Sequence, residues 1–460
     1  MRISVTEPLF AWAALEDSPS LETIRRCLEA VPDGPLLRGL RHARGRGRDD
    51  FPVAVLWGIA LMTPRLRHAS YDACLAEARR NPALRRLLGL ETAEQVPHHW
   101  NLSRFLDALG HPAHLAALRA SFDAMVQRLA QVVPDLGRRT AGDATALSAR
   151  RGDAKRQQAE LRLGLPQPAG GRKEYKDADG QVVKVGEWFG YKLHLLVDVR
   201  HELALAYRIT EPALGDNEII EPLLEQARAN LPAGRIESLA YDKAADDESV
   251  HRLLHRAGIK PLIEDRALWK GESEKMLPGH TGRSNLVYDE SGTIHCYDKV
   301  STPTVRHRMA YVGHEEQRGT LKYRCPARHE GWACPSDARC NGARRYGLVA
   351  RIKSELDLRR FPPIPRATKQ FERLYNGRTA VERVNARVKL YWGADDGNVI
   401  GARRFHAMAA VVMLVHLALG TTLARSGRHE GKTLGGTRLS PIAQALDDRI
   451  RQERSAAGEE

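Results

Sequence analysis

Residues 190–210 read GYKLHLLVDVRHELALAYRIT, and this stretch decides the fold. Apolar and polar residues alternate on both sides of Arg200–Glu202, which is typical of two half-buried strands joined by a tight turn. Upstream, RRTAGDATALSA (138–149) predicts another short strand. Downstream, two segments with helical periodicity, NEIIEPLLEQARANL and DESVHRLLHRAGI, alternate with the strand-like segments RIESLAYD and KPLIE. This succession predicts an α/β sheet with an antiparallel hairpin at one edge.

The rest of the 460-residue chain divides around this sheet, because so long a chain exceeds a usual single domain. Apolar residues in the N-terminal part recur with a spacing near 3.6, which predicts helices. The polar, glycine-rich stretch 149–186 is expected to be a loop. We predict the following division: a helical N-terminal DNA-binding domain, 1–135; the first part of the core, 136–265; a β-rich insertion with a cysteine cluster, 266–358; the second part of the core, 359–426; a mobile tail, 427–460.

The charge balance points to a polyanionic partner. The chain has 71 Lys and Arg against 57 Asp and Glu, a net charge of +14. Such basicity favours nucleic acid, although general arginine richness would also produce it. A turn and helix at 96–110 place Arg104 where it could contact DNA, and an ordinary helical bundle with a solvated basic face is the alternative reading.

The chain is expected to be cytoplasmic. Acidic residues appear too early in the N-terminal segment for a secretory signal. Residues 405–424 are apolar and long enough to cross a bilayer, but His406 and His416 lie within them, so we predict a buried core helix.

A second informative segment is YNGRTAVERVNARVK, residues 375–389. Tyr375, Arg378, Glu382 and Lys389 fall within an arc of roughly 60° on a regular helix. An apolar stripe lies alongside, so the helix can pack on the core while it presents one carboxylate between two cations and a phenol. A solvated amphipathic helix with incidental charges is the alternative.

The predicted strands supply two further carboxylates. Asp143 lies inside the first strand, where a carboxylate is unfavourable unless it is solvated, paired or bound to a metal. Asp242 closes the strand RIESLAYD, and active sites are commonly built at strand ends in α/β sheets. Oxygen ligands of this kind suit Mg²⁺ or Mn²⁺.

These residues resemble a known family, the bacterial insertion-sequence transposases of the DDE type with the signature Tyr-x₂-Arg-x₃-Glu-x₆-Lys. Asp143 and Thr145 are similar to the family's first-strand motif, GYKLHLLVD with Lys192 to its second strand, and Asp242-Lys243 to the start of its second-aspartate motif. The family commonly has Gly-Tyr after Asp-Lys, where this chain has alanines. The resemblance covers roughly residues 50–425.

The resemblance implies an RNase-H-like catalytic core, a mixed sheet flanked by helices, with a helical N-terminal domain and a β-rich insertion before the last catalytic helix. It implies that two Mg²⁺ or Mn²⁺ ions are held by Asp143, Asp242 and Glu382 for phosphoryl transfer on DNA. The residues expected to contact DNA are Tyr375, Arg378, Lys389, Lys192 and Arg104.

The function that follows is metal-dependent strand cleavage and strand transfer of an insertion sequence, that is, cut-and-paste transposition. The implied partners are double-stranded DNA, both terminal inverted repeats and target, and a second copy of the chain in the synaptic complex, with no membrane. A decayed or repurposed transposase that only binds DNA is the alternative, and another RNase-H-like nuclease is a third reading.

Four cysteines fall in the predicted insertion: Cys296, Cys325, Cys334 and Cys340. In a reducing compartment, metal binding is more plausible than disulfides, and four thiolates could close a tetrahedral structural zinc site. Small packing residues in a β-rich segment are the equally weighted alternative, because the spacing lacks a clean CxxC pair.

Overall fold

The computed structural model describes residues 19–46, 51–177, 181–271, 273–278, 285–298, 300–397 and 399–425, together with 434, 452, 455 and 456. Almost all of the predicted tail, 427–460, and the first 18 residues lie outside the described residues.

The N-terminal part is helical, as its periodicity predicts. Side-chain caps begin two of these helices: the Ser70 hydroxyl accepts from the N–H of Ala73, and the Asn81 side chain accepts from two backbone N–H groups. The helices are α1 (Pro19–Ala30), α2 (Gly34–Arg44), α3 (Val53–Arg65), α4 (Tyr71–Arg80), α5 (Pro82–Leu87), α6 (His99–Leu109) and α7 (Pro112–Val132).

A mixed sheet follows, which confirms the predicted α/β class. The six strands are β1 (Arg139–Ser148), β2 (Ala169–Lys176), β3 (Val182–Asp198), β4 (Ala204–Thr210), β5 (Ser238–Tyr241) and β6 (Lys260–Ile263). Their order is β2-β3-β1-β5-β6, and β4 also pairs with β3. The β3–β4 hairpin is antiparallel and turns where the sequence predicts, whereas β1, β5 and β6 run parallel to one another.

Helices flank the sheet. Three of them follow the predicted periodic segments, namely α9 (Asp216–Asn230), α10 (Glu248–Arg256) and the 24-residue α15 (Ala402–Arg425). Before α15 lies a helical stretch of changing geometry: α13 (Lys369–Tyr375), a 3₁₀ turn (Asn376–Arg378), α14 (Thr379–Ala386) and a π turn (Arg387–Tyr391). By length and composition α15 could cross a membrane, but 94% of its most apolar window is buried inside the protein, so the prediction of a core helix is confirmed.

Residues 149–186 are not the predicted loop. They contain α8 (Ala154–Arg162), all of β2 and the first part of β3. Before Gly190, β3 extends past the rest of the sheet and pairs with β2 in a ribbon, and Val183 there is 65% exposed. A ribbon that is solvated on both faces lacks the polar and apolar alternation from which strands are predicted.

Residues 274–353 carry two further antiparallel sheets. The first has the order β10-β9-β8-β7 and the second has the order β11-β12-β13. Their strands are β7 (Glu274–Met276), β8 (Leu286–Asp289), β9 (Ile294–Asp298), β10 (Val305–Arg308), β11 (Ala310–Glu315), β12 (Thr320–Arg324) and β13 (Val349–Lys353), with the short helices α11 (Pro326–Glu330) and α12 (Asp337–Asn341) before β13.

Two hydrophobic cores hold the chain together. The first core joins the N-terminal helices, the six-stranded sheet and α15, for example through Ile59, Leu118, Leu195 and Val411. The second core lies between the two small sheets and includes Leu286 and Leu321. The helical N-terminal part therefore shares its interior with the sheet, whereas the region of small sheets has an interior of its own.

Candidate active site

Strand register brings two aspartates together. In the parallel pair of β1 and β5, Ala141 lies opposite Ala240. Two residues further along each strand stand Asp143 and Asp242, so this register places them side by side at the end of β5. Gly142 is required here, because a Cβ at this position would meet the ring of Tyr241 at 2.1 Å.

The Asp143 carboxyl group has an unusual electrostatic environment. Burial raises its pKa from 3.8 to about 6; the N–H of Ala144 lowers it, and the negative charge of Asp242 raises it further. Lys173 and Arg378 act in the opposite direction, as positive charges nearby. Two neighbouring carboxylates in a partly buried site repel each other, and a divalent cation relieves such repulsion.

The α14 segment lies against these strands. Asn385 is buried on α14, and its Nδ2 donates to Asp143 Oδ2 at 3.1 Å. One helical turn earlier, Arg378 Nη2 donates to Glu382 Oε1 at 2.7 Å, and the Glu382 side chain is 49% exposed. The guanidinium of Arg378 also lies 5.9 Å from the centre of the Tyr375 ring.

Ion pairs with the β3–β4 turn hold α14 in place. Glu202, in the β3–β4 turn, is buried and has the positive φ of 54°. Its two carboxylate oxygens accept from Arg383 Nε at 2.6 Å and from Arg387 Nη2 at 2.7 Å. This pair of charge-assisted bonds fixes where Glu382 and Asn385 stand relative to the sheet.

The donor set suits a hard divalent cation, because its potential ligands are carboxylate oxygens. Within the described part of the chain, however, no three His, Cys, Asp or Glu side chains are grouped tightly enough to hold a metal ion. Asp242 accepts from the N–H of Ala244 at 3.0 Å, and Glu382 is paired with Arg378. In this arrangement Glu382 and the two aspartates do not form a ready-made metal site.

Lys389 does not share the surroundings of Glu382. Its Nζ pairs with Asp395 Oδ2 at 3.0 Å, and the other oxygen of Asp395 accepts from the N–H of Ser148 at 2.5 Å. The arc of roughly 60° assumed one regular helix, whereas the chain passes through a 3₁₀ turn before α14 and a π turn at Lys389.

The two remaining predicted DNA contacts lie in different places. Lys192 donates to the carbonyl of Leu214 at 2.9 Å and pairs with Asp216 at 3.0 Å, with 21% of its side chain exposed. Arg104 is exposed on α6 and lines a cavity of about 540 Å³ with Arg44 and Phe51.

The four cysteines of the small-sheet region lie near one another as free thiols. Burial raises the pKa of the Cys296 thiol to about 12, and Cys325, Cys334 and Cys340 raise it further. Amide groups also approach two sulfurs, Asn341 at Cys325 and Asn285 at Cys340. Cys27 and Cys74 are buried in the first core, as their helical pattern suggests.

Sequence reasoning missed Asn385 and Glu202 as parts of this site. The signal for Asn385 was present, because it follows Glu382 by three residues and so lies on the same helix face. No sequence pattern indicates that Glu202 anchors a helix about 180 residues further along the chain.

Comparison with known families gives two matches. A family model described as a transposase DDE domain matches residues 137–418, which is more than half of the chain. A second model, described as a transposase domain (DUF772), matches residues 14–108. No curated protein sequence matches the chain significantly.

Proposed function

The chain belongs to the DDE transposase family, and from this premise we propose that it cleaves the ends of an insertion sequence and joins them to target DNA. The observation that carries the proposal is the strand register, which sets Asp143 beside Asp242 next to the helix that bears Glu382. The reaction is phosphoryl transfer in cut-and-paste transposition, and we propose the cytoplasm as its location.

In the proposed mechanism, Asp143, Asp242 and Glu382 hold two Mg²⁺ or Mn²⁺ ions. The ions would activate water or a 3′-hydroxyl and stabilise the leaving oxygen. The chain's part is to present three carboxylates, which requires an ionised Asp143 and a Glu382 released from Arg378. Arg378, once released, has a free guanidinium edge that suits bidentate contact with a DNA phosphate.

Substrate contacts are proposed at several places around the site. Tyr375 stands beside Arg378, where a phenol can contact a phosphate or stack on a base. Lys389 lies near the end of β1, and Arg104 extends the basic surface onto the N-terminal helices. Lys192 must leave Asp216 before its ammonium group can contact DNA. The partners are the terminal inverted repeats, target DNA and a second copy of the chain.

The experiment is Mg²⁺-dependent nicking of a duplex that carries the inverted repeats flanking the coding region. Asp143→Asn, Asp242→Asn and Glu382→Gln should each reduce cleavage by about 10³-fold or more while binding to the repeats persists. Glu372→Gln is the matched control, because Glu372 is exposed on α13 in the same helical stretch. Near-normal cleavage by any of the three variants would remove that residue from the site.

A wild-type protein that binds the repeats and nicks no strand would instead support the alternative, a transposase that retains only DNA binding. The presence of all three carboxylates in one region favours the active enzyme over this reading.

We also propose structural zinc at Cys296, Cys325, Cys334 and Cys340. What supports it is that the Cys296 thiol on β9 interacts electrostatically with the three other thiols, which lie at the start of α11, in α12 and in the loop between them. The four sulfurs are not grouped tightly enough for zinc as they stand, so side chains must move inward when the ion binds. Four thiolates leave no open coordination position on zinc, so its role would be structural: it would cross-link the region of the two small sheets.

A further inference from the structure

Among the residues that the structure describes, Asn385 donates a side-chain hydrogen bond to Asp143. The amide Nδ2 lies 3.1 Å from Asp143 Oδ2, and Asn385 is only 6% exposed. The backbone N–H of Ala144 donates to the same carboxyl group. Two donors from two elements, β1 and α14, therefore set the orientation of one carboxylate.

Packing alone does not account for an amide at this position. The Oδ1 of Asn385 is buried and accepts no hydrogen bond from the residues that the structure describes. A buried acceptor without a partner is destabilising, so an apolar side chain of similar volume would fill the space at a lower cost in stability. The side chain that stands there instead points its donor at Asp143.

We propose that Asn385 is a positioning residue that holds the Asp143 carboxylate in the orientation needed to bind a divalent cation. This inference rests on the proposed metal site. With Oδ2 held by the amide, the carboxylate does not have to be ordered when the cation arrives.

The test is Mn²⁺ binding by purified full-length protein without DNA. Electron paramagnetic resonance measures the concentration of free Mn²⁺ during the titration. Asn385→Ala should weaken Mn²⁺ binding by about 10- to 100-fold, which is usual for a group that orients a metal ligand. Asn385→Leu keeps the approximate volume of the side chain and removes the donor without adding a charge, so it should weaken binding in the same direction.

A matched control exists on α9. Asn230 is also buried, and its Nδ2 donates to Asp123 Oδ1 at 2.7 Å on α7. Asn230→Ala removes the same kind of hydrogen bond away from the catalytic strands. It should lower the melting temperature and leave Mn²⁺ affinity unchanged.

Three outcomes would overturn the inference. Unchanged Mn²⁺ affinity in folded Asn385→Ala would make the residue a packing residue. Tighter binding by Asn385→Leu would show that the amide does not help Asp143 to bind the cation. If the wild-type protein binds no Mn²⁺ and Asp242→Asn behaves in the same way, the proposed metal site is overturned as well. This result distinguishes a failure of the metal site from a failure of the role of Asn385 alone.

Discussion

Asp143 lies in a strand where opposing influences act on a single carboxyl group. Burial and the neighbouring Asp242 disfavour its charge, and the Ala144 N–H, Lys173 and Arg378 favour it. The effect of burial is the largest of these, because the pKa of Asp143 is about 6 rather than near 4. A carboxylate whose charged form is destabilised by the fold is typical of a functional site, where groups needed for activity lower the stability of the folded protein.

This balance predicts that Asp143→Asn stabilises the protein while it abolishes cleavage. The folded-state pKa of Asp143 is raised, so its ionisation destabilises the folded wild-type protein. This destabilisation is absent below about pH 4, grows as pH rises and is complete above about pH 6. In metal-free buffer at pH 8, the variant should gain up to roughly 3 kcal/mol in unfolding free energy, measured by urea denaturation.

The same comparison at pH 4 is the internal control, because Asp143 is then protonated in the folded wild type. A gain that is equally large at pH 4 and pH 8 would show that the effect does not come from the charge.

The sequence singles out Asp143 and Asp242, which the strand register brings together, but it does not predict all the contacts of these side chains. Asp143 stands out because a charged residue inside a short strand requires an explanation, and Asp242 because it ends one. The Arg378–Glu382 ion pair has the i, i+4 spacing of helical ion pairs, so its proximity is local. The contact of Asn385 with Asp143 joins α14 to β1, and no spacing in the chain encodes it.

At the scale of elements, amphipathic segments were predictable and irregular ones were not. Periodicity located α9, α10 and α15, because each buries one face or all faces in the first core. The exposed β2–β3 ribbon buries neither face, so its sequence looks like a loop. The turn changes around α14 are set by packing on Glu202, which local sequence cannot report.

One buried carboxylate links the small-sheet region to the six-stranded sheet. The Asp246 side chain, just after β5, is fully buried, and its oxygens accept from His251, Arg359, Arg366 and the N–H of Arg266. Burial alone would raise its pKa, but these donors and positive charges outweigh burial and lower it to about 2.

Asp246→Asn should therefore lower the unfolding free energy at pH 7 by roughly 2–4 kcal/mol, because it removes a buried negative charge that pairs with Arg359 and Arg366. The folded-state pKa is depressed, so this contribution is present above about pH 4 and is lost as pH falls towards 2. Urea denaturation at pH 7 and pH 3 measures both. Glu248→Gln, on a nearby surface pair, should change stability by less than about 1 kcal/mol; an equal loss there would contradict the assignment.

The cysteine cluster gives a second prediction for this region. Cys334→Ser should release zinc and destabilise the two small sheets, while the first core stays folded. Elemental analysis of protein purified without chelators should give about one zinc per chain for the wild type. Cys74→Ser, in the first core, is the matched control and should retain the metal. Native wild-type protein with no zinc and four reactive thiols would reduce these cysteines to packing residues.

At the scale of the whole molecule, the two cores imply two different kinds of attachment. The N-terminal helices and the sheet share residues of the first core around α15, so neither can be removed without exposing apolar surface. The small sheets have their own core. The chain segments that enter and leave the small-sheet region lie in contact, because Arg359 Nη2 donates to the carbonyl of Arg266 at 2.6 Å.

The last prediction follows from that geometry. Residues 267–358 should be replaceable by about four glycines, since each spans up to ~3.5 Å and the two ends are already in contact. Phe361 belongs to the second core from outside this range, so it is changed to Ser in the same variant. The shortened protein should show cooperative urea unfolding and near-native helical circular dichroism, yet lose cleavage through poorer positioning of the DNA end. Removal of residues 1–135 is the matched comparison and should leave an aggregated chain, because it uncovers one side of α15. If that truncated chain folds and the glycine-linked one does not, the assignment of the two cores is wrong.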